Sequence, residues 1–89
     1  MITASAYAGM AACYEAKGDF DHAASYFEKA ASKNMTTVQA PENLQKSAIN
    51  FAAAGKKEKA IELLRMLKKE FPSSLYARDV DRFIAEYSI

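Results

Sequence analysis

Apolar side chains recur along the chain at the three- and four-residue spacing that forms one face of an α-helix. The spacing predicts four helices followed by a fifth at the carboxyl end. The clearest stripe, in the second helix, is Phe20, Ala23, Ala24, Phe27, Ala30 and Ala31. The other stripes are Tyr7, Met10, Ala11 and Tyr14; Leu44, Ala48, Phe51 and Ala52; Ala60, Ile61, Leu64, Leu67 and Phe71; and Tyr76, Val80, Phe83, Ile84 and Tyr87. Because no segment alternates apolar and polar residues over five or more positions, we predict an all-α fold.

Glycines mark the turns within two helical hairpins. Gly18 and Gly55 follow the first and third stripes, where a helix commonly ends on a residue with positive φ. Asp19 can cap the second helix through its carboxylate, whereas Lys56 cannot cap the fourth. We therefore expect two tight turns, of which the second is the looser.

The carboxyl end reads as a separate capping helix. Pro72 prevents the fourth helix from continuing, and Ser73 or Ser74 is placed to cap the fifth. The polar face of this helix carries Arg78, Asp79, Arg82 and Glu86. A charged outer face suits the last element of a helical array.

The two hairpins are internal repeats. Gly18 and Gly55 are 37 residues apart, and neighbouring positions match at the same offset. We assign repeat packing to the first set Ala11, Tyr14, Gly18, Ala23, Phe27 and Ala30, and to the matching set Ala48, Phe51, Gly55, Ala60, Leu64 and Leu67. Small residues in each set let antiparallel helices approach closely, and large ones fill the space around that contact.

These residues resemble the tetratricopeptide repeat pattern over nearly the whole chain. Tyr7 and Leu44 replace the tryptophan that the family often has, and Met35 replaces its closing proline. The family repeat is about 34 residues long, so we assign the extra residues to a longer connection through Asn34–Gln39. The resemblance implies an α-solenoid with a right-handed superhelix, made of repeat one (1–35), repeat two (36–73) and a capping helix (74–89).

A likeness at the end of the chain suggests a narrower group. The ending FPSSLYARDVDRFIAEYSI resembles the last repeat and terminal helix of bacterial cell-envelope tetratricopeptide proteins, including tethered translocon-accessory and cell-division coordinator types, and some Bacteroidetes repeat proteins look alike throughout. Such relatives are scaffolds anchored by an amino-terminal membrane helix. The resemblance implies a periplasmic location, and a cytoplasmic one is the alternative.

The resemblance also implies a concave surface that binds a partner. By the family's spacing, the first helix of each repeat lines it with Ser5, Ala8, Ala12 and Glu15, and with Glu42, Gln45, Ile49 and Ala52. Ala8 and Ala12 stand where the family's carboxylate clamp has lysine and asparagine, which argues against a clamp. We expect an alanine-rich trough that accepts an apolar helix or an extended segment of a protein partner.

Self-association is the alternative function. Repeat arrays usually need about three units for a continuous core, and the first helical pattern begins almost at Met1 with no capping residue ahead of it. Met1, Ile2 and the nearby alanines are therefore predicted to pack against a second copy or against upstream repeats. We expect the chain to be part of a longer array.

Composition and charge exclude several classes of function. The chain has 89 residues, of which 51% are hydrophobic and 26% charged, with a formal net charge of +1. This balance is typical of one soluble globular domain and disfavours nucleic-acid binding. No segment approaches the roughly 20 apolar residues of a membrane span, so we expect no direct membrane insertion.

We expect no catalysis, metal or cofactor. His22 is the only histidine, and Cys13 the only cysteine, so neither a metal shell nor an activated nucleophile can be assembled from them. We interpret His22 as a solvated or capping residue and Cys13 as a small buried packing residue.

Two surface features have ordinary interpretations. Five lysines, interspersed with glutamates, surround the fourth helix, and we interpret them as a solvated convex face rather than a site for an acidic partner or lipid headgroups. They are Lys56, Lys57, Lys59, Lys68 and Lys69. Tyr26 lies off the stripe of its helix and is predicted to be exposed.

Overall fold

The computed structural model describes residues 2–35 and 38–89, and this part of the chain contains helices and no strand. The helices are α1 (Ala4–Ala16), α2 (Phe20–Lys33), α3 (Gln39–Ala53), α4 (Lys57–Glu70) and α5 (Val80–Tyr87), with a 3-10 segment (Leu75–Asp79) before α5. The pairs α1/α2 and α3/α4 form two helix-turn-helix hairpins, and α5 packs on α4 as a capping helix. The longer connection predicted at Asn34–Gln39 includes Thr36 and Thr37, which lie outside the described residues.

Both predicted glycine turns are confirmed. Gly18 has φ 78° and Gly55 has φ 86°, a region that glycine enters without steric cost. The residue after each glycine donates its N–H to a carbonyl oxygen of the preceding helix: Asp19 to Tyr14 at 2.9 Å and Lys56 to Phe51 at 2.8 Å. The matching bonds show that the two turns share one geometry.

The helix caps agree with the sequence in α2 and α4 and differ in α1. The Asp19 carboxylate accepts a bond from the His22 N–H at 3.3 Å, whereas Lys56 makes no side-chain cap. The prediction that no capping residue precedes the first helix was wrong: the Thr3 hydroxyl accepts a bond from the Ala6 N–H at 3.1 Å. Threonine is a preferred N-cap residue.

The core is continuous from α2 to α5 and leaves α1 at its margin. Its buried members are Ala24, Ala31, Leu44, Ala48, Phe51, Ala60, Leu63, Leu64, Leu67 and Val80. In α1 only Ala11 is buried, and this helix packs mainly against α2. The second repeat therefore contributes most of the core.

The predicted fifth helix is divided. After Pro72, the Ser74 hydroxyl accepts the Tyr76 N–H at 3.1 Å and starts the 3-10 segment, and the α-helix proper begins at Val80. Single 3-10 turns are common at helix starts. Ser74, rather than Ser73, is therefore the capping residue.

Three predictions about individual side chains were wrong. Cys13 is exposed, and so is Phe20, because α1 and the start of α2 have no preceding helix to cover them. Tyr26 is half-buried, because its ring reaches across to α1 and stacks on Tyr14 with the ring centroids 5.5 Å apart.

Candidate partner-binding groove

A groove runs between α1 and α3, the first helices of the two repeats. Its cavity has a volume of about 180 Å³ and is lined by Ala4, Ser5, Ala8, Ala12, Phe27, Gln39, Glu42, Asn43 and Lys46. The α1 side consists of small residues, and the α3 side is polar. The bottom includes Phe27, whose side chain is almost fully buried.

Four of the eight residues predicted for the concave surface line this cavity. They are Ser5, Ala8, Ala12 and Glu42. The other four do not line it: Glu15, Gln45, Ile49 and Ala52. Of these, Ala52 packs against the core, and Glu15 accepts a hydrogen bond from Asn50.

The face of α3 that borders the groove is rotated from the one predicted. The groove-lining residues Gln39, Glu42, Asn43 and Lys46 follow a spacing of three, one and three, which is one face of a helix. The sequence prediction missed Gln39, Asn43 and Lys46, because it used the family's spacing of concave positions and not the polar stripe of α3 itself. That stripe was the available signal.

Two buried polar residues of α3 have partners within the fold. The Ser47 hydroxyl donates to the Ala24 carbonyl oxygen at 2.7 Å. The Asn50 amide donates to Glu15 Oε2 at 2.9 Å and to the Lys46 carbonyl oxygen at 2.8 Å. These bonds join the second repeat to both helices of the first.

One end of the groove is fixed by the carboxyl-terminal part of the chain. The Tyr76 hydroxyl donates to Glu42 Oε2 at 3.0 Å. The hydrogen bond to Glu42, and secondarily desolvation, raise the pKa of Tyr76 above its usual value of 10.0. The Lys46 ammonium lies 5.6 Å from the centroid of the Phe27 ring, within reach of a cation–π interaction.

An aromatic cluster joins α1 to α2 outside the groove. Tyr26 stacks between Tyr7 and Tyr14, and the His22 ring lies 5.1 Å from that of Tyr14. His22 Nδ1 is 2.9 Å from Asp19 Oδ2, and this hydrogen bond is the main cause that lowers the pKa of Asp19 below 3.8. His22 thus has a structural contact with the capping residue of α2.

The lysines around α4 are largely ion-paired. Lys56 pairs with Asp21 at 2.8 Å and Lys59 with Glu28 at 3.0 Å, both between α2 and α4. Lys68 pairs with Asp81 on α5 at 3.0 Å. Hydrogen bonding to Glu28 raises the pKa of Lys59 above 10.5. Acidic residues therefore divide this surface, and exposed pairs of this kind contribute little stability.

A larger cleft of about 580 Å³ lies at the opposite edge of α3. It is lined by Val38, Pro41, Glu70, Phe71, Pro72, Ser73, Ser74, Leu75 and Tyr76. It adjoins Thr36 and Thr37, outside the described residues. Elsewhere in the described chain, no group of three or more histidine, cysteine or carboxylate side chains is placed to hold a metal ion. No helix in residues 2–35 and 38–89 has the length and hydropathy needed to cross a membrane.

Comparison with protein families identifies the repeats. Residues 4–36 match one model described as tetratricopeptide repeat, and residues 42–74 match a second model with the same description. The comparisons with curated proteins and with solved structures gave no match. Tetratricopeptide repeats generally mediate protein–protein interactions and are typically non-catalytic. The two matches together cover most of the chain, which therefore belongs to the tetratricopeptide repeat family.

Proposed function

We propose that this chain is a non-catalytic binding module that holds a segment of a partner protein in the groove between α1 and α3. The observation that carries the proposal is the groove itself, in which small residues of α1 face a polar stripe of α3 across an open cavity. Ala8 and Ala12 leave room for another chain to approach, and Phe27 offers it apolar surface. No occupant from the described chain fills this space.

Substitution of one groove residue tests the proposal. Ala12→Arg places a long charged side chain in the cavity, whereas Ala16→Arg places the same side chain on an exposed position of α1 outside it. We expect proteins captured from cells by the wild type to be retained by Ala16→Arg and lost by Ala12→Arg. Equal retention by both variants would remove the groove from the function.

Self-association through α1 is the second candidate, and the internal repeat favours it. At the offset of 37 residues, Met10 corresponds to Ser47 and Cys13 to Asn50. In α3 these positions are buried against the preceding hairpin, whereas in α1 Met10 is 37% exposed and Cys13 is exposed. The outer face of α1 is thus equivalent to a stacking face without its neighbour. Met1, predicted to join it, lies outside the described residues.

A dilution series distinguishes the second candidate. If the outer face of α1 binds a second copy, the molecular mass in sedimentation should fall toward the monomer on dilution. Met10→Lys should abolish the dimer, and Met66→Lys, an equally exposed methionine on α4, should not. A monomer at every concentration would dispose of the dimer.

The finer assignments remain proposals. We divide the chain into repeat one at residues 1–35, repeat two at 36–73 and the capping segment at 74–89. We also retain the cell-envelope location as a prediction that rests on the likeness of residues 71–89. Fractionation of cells that express the native gene product would test this location directly.

A further inference from the structure

Asn43 differs from the other buried polar residues of α3. It is 5% exposed, close to Ser47 and Asn50, yet its side chain makes no hydrogen bond to any residue that the structure describes. Ser47 and Asn50 both have partners. A buried amide without a partner is costly, because it has lost water without gaining another bond.

The free amide of Asn43 faces the groove. Among the described residues, no fully occluded side-chain nitrogen or oxygen lacks a partner, so both polar atoms of Asn43 must retain a narrow path to solvent. Asn43 lines the cavity between α1 and α3. The path therefore leads into the groove, and a bound molecule there would meet one donor and one acceptor.

A carboxamide of this kind matches an extended peptide backbone. Its N–H₂ donates and its oxygen accepts, which pairs with the C=O and N–H of one residue in an extended segment. The interior of an α-helix has no free backbone groups to offer, because they are bonded within the helix. Ala8 and Ala12 opposite Asn43 have only methyl side chains, so a backbone can approach closely.

The cavity also limits what the segment inserts. At about 180 Å³, it lies well below the roughly 300–1,000 Å³ of pockets that enclose drug-sized ligands. It therefore suits one apolar side chain of the segment, resting on Phe27. The rest of the segment must lie along the rim of the groove.

Lys46 adds a charge preference. It is exposed, and its ammonium forms no ion pair with the described residues, although Glu42 lies one helical turn away. The Glu42 carboxylate instead accepts the Tyr76 hydroxyl. A carboxylate on the bound segment would thus find an available cation at the rim.

We propose that the groove recognises an extended peptide segment whose backbone pairs with the Asn43 amide and whose acidic side chain pairs with Lys46. This inference rests on the proposed function and assigns the partner's chemistry at the same site.

A displayed library of random linear peptides supplies the probe. The library is selected on the wild-type protein and depleted on Ala12→Arg, and the affinities of the enriched peptides are then measured by fluorescence polarisation. We expect enrichment of sequences with an acidic residue close to a small apolar one. Enrichment of peptides with apolar residues at helical spacing, or of none, would overturn the inference.

Asn43→Leu separates recognition from folding. Leucine is close to asparagine in size and has no polar atoms, so the variant should unfold at the same or a higher temperature. The enriched peptides should bind it about tenfold more weakly. Methylation of the one backbone nitrogen that faces Asn43 should weaken binding to the wild type by a similar factor and add little in Asn43→Leu. The methylated peptides keep the test valid even if Asn43→Leu folds poorly.

The charge is tested separately. Peptide binding to the wild type should weaken severalfold as salt rises, and Lys46→Gln should remove most of that dependence. Lys57→Gln, on α4 and away from the groove, is the matched control. If Ala12→Arg abolishes binding but Asn43→Leu and peptide methylation do not, this inference fails while the proposed function stands. If Ala12→Arg leaves binding intact, both fail.

Discussion

The described glycines occupy two kinds of backbone. Gly9 lies within α1, whereas Gly18 and Gly55 have positive φ at the ends of α1 and α3. A Cβ atom added to any of them meets no atom within 4 Å. Steric space therefore cannot distinguish them, and the backbone conformation alone decides the effect of substitution.

We expect Gly18→Ala to destabilise the fold and Gly9→Ala to stabilise it. Alanine in the left-handed region costs about 1–2 kcal/mol, whereas in a helix interior it is favoured over glycine by about 1 kcal/mol. For a domain of this size, each 1 kcal/mol shifts the melting temperature by about 4–8 °C. Thermal unfolding followed by far-ultraviolet circular dichroism measures both. Shifts of the same sign would contradict the turn geometry.

Asp19 makes part of the stability depend on pH. Its hydrogen bond with His22 lowers its pKa below 3.8 in the folded state, so the folded chain favours the ionised carboxylate. The contribution is present above the unfolded pKa and is lost as the pH falls through the lowered folded pKa. Asp19→Asn keeps a capping oxygen and cannot titrate.

We therefore expect the wild type to lose stability more steeply than Asp19→Asn as the pH falls below about 4. Urea unfolding at a series of pH values measures the difference. Parallel curves for the two proteins would show that Asp19 and His22 do not interact as described. The exposed position of the pair means that the difference is small.

At the scale of the element, sequence periodicity predicts the helices well and their neighbours less well. The stripe of α2 and the turns at Gly18 and Gly55 follow from local rules of spacing and backbone conformation. Burial of Cys13 does not, because it depends on whether another helix covers α1. A stripe states which residues can be buried together, and only packing decides which ones are.

The groove shows the same limit. Its alanines Ala8 and Ala12 are predictable from the repeat, because they are at the family's concave positions. Asn43 and Lys46 are not, because a rotation of α3 about its own axis brings them to the cavity. Likewise, the stacking of Tyr26 across α1 depends on the reach of a large ring between helices.

The capping helix α5 provides an element-scale prediction. Val80 is fully buried in the core, whereas Ala85 on the same helix is exposed. We expect Val80→Asp to be strongly destabilising, because it removes about 1.5–3 kcal/mol of apolar burial and adds a buried charge without a partner. Ala85→Asp should change the unfolding midpoint little. Similar midpoints in chemical denaturation would indicate that α5 does not cover α4.

At the scale of the whole molecule, stability is unevenly distributed. The core runs without interruption through α2, α3, α4 and α5, whereas α1 contributes only Ala11 as a buried residue. Three stacked tyrosine rings and the bond from Asn50 to Glu15 hold α1 in place at the surface. Opening α1 alone therefore exposes much less apolar surface than unfolding the chain.

We expect native-state hydrogen exchange to reveal this difference. Amides of α1 should exchange through local opening, at a lower free energy than those of α3 and α4, which should exchange through global unfolding. Ala11→Gly should speed exchange in α1 and leave α4 nearly unchanged, because it weakens the one buried contact of that helix. Occupation of the groove by a partner should protect α1, since Ala8 and Ala12 form one of its walls. Uniform protection across all helices in the free protein would mean that α1 is part of the same cooperative unit as the core.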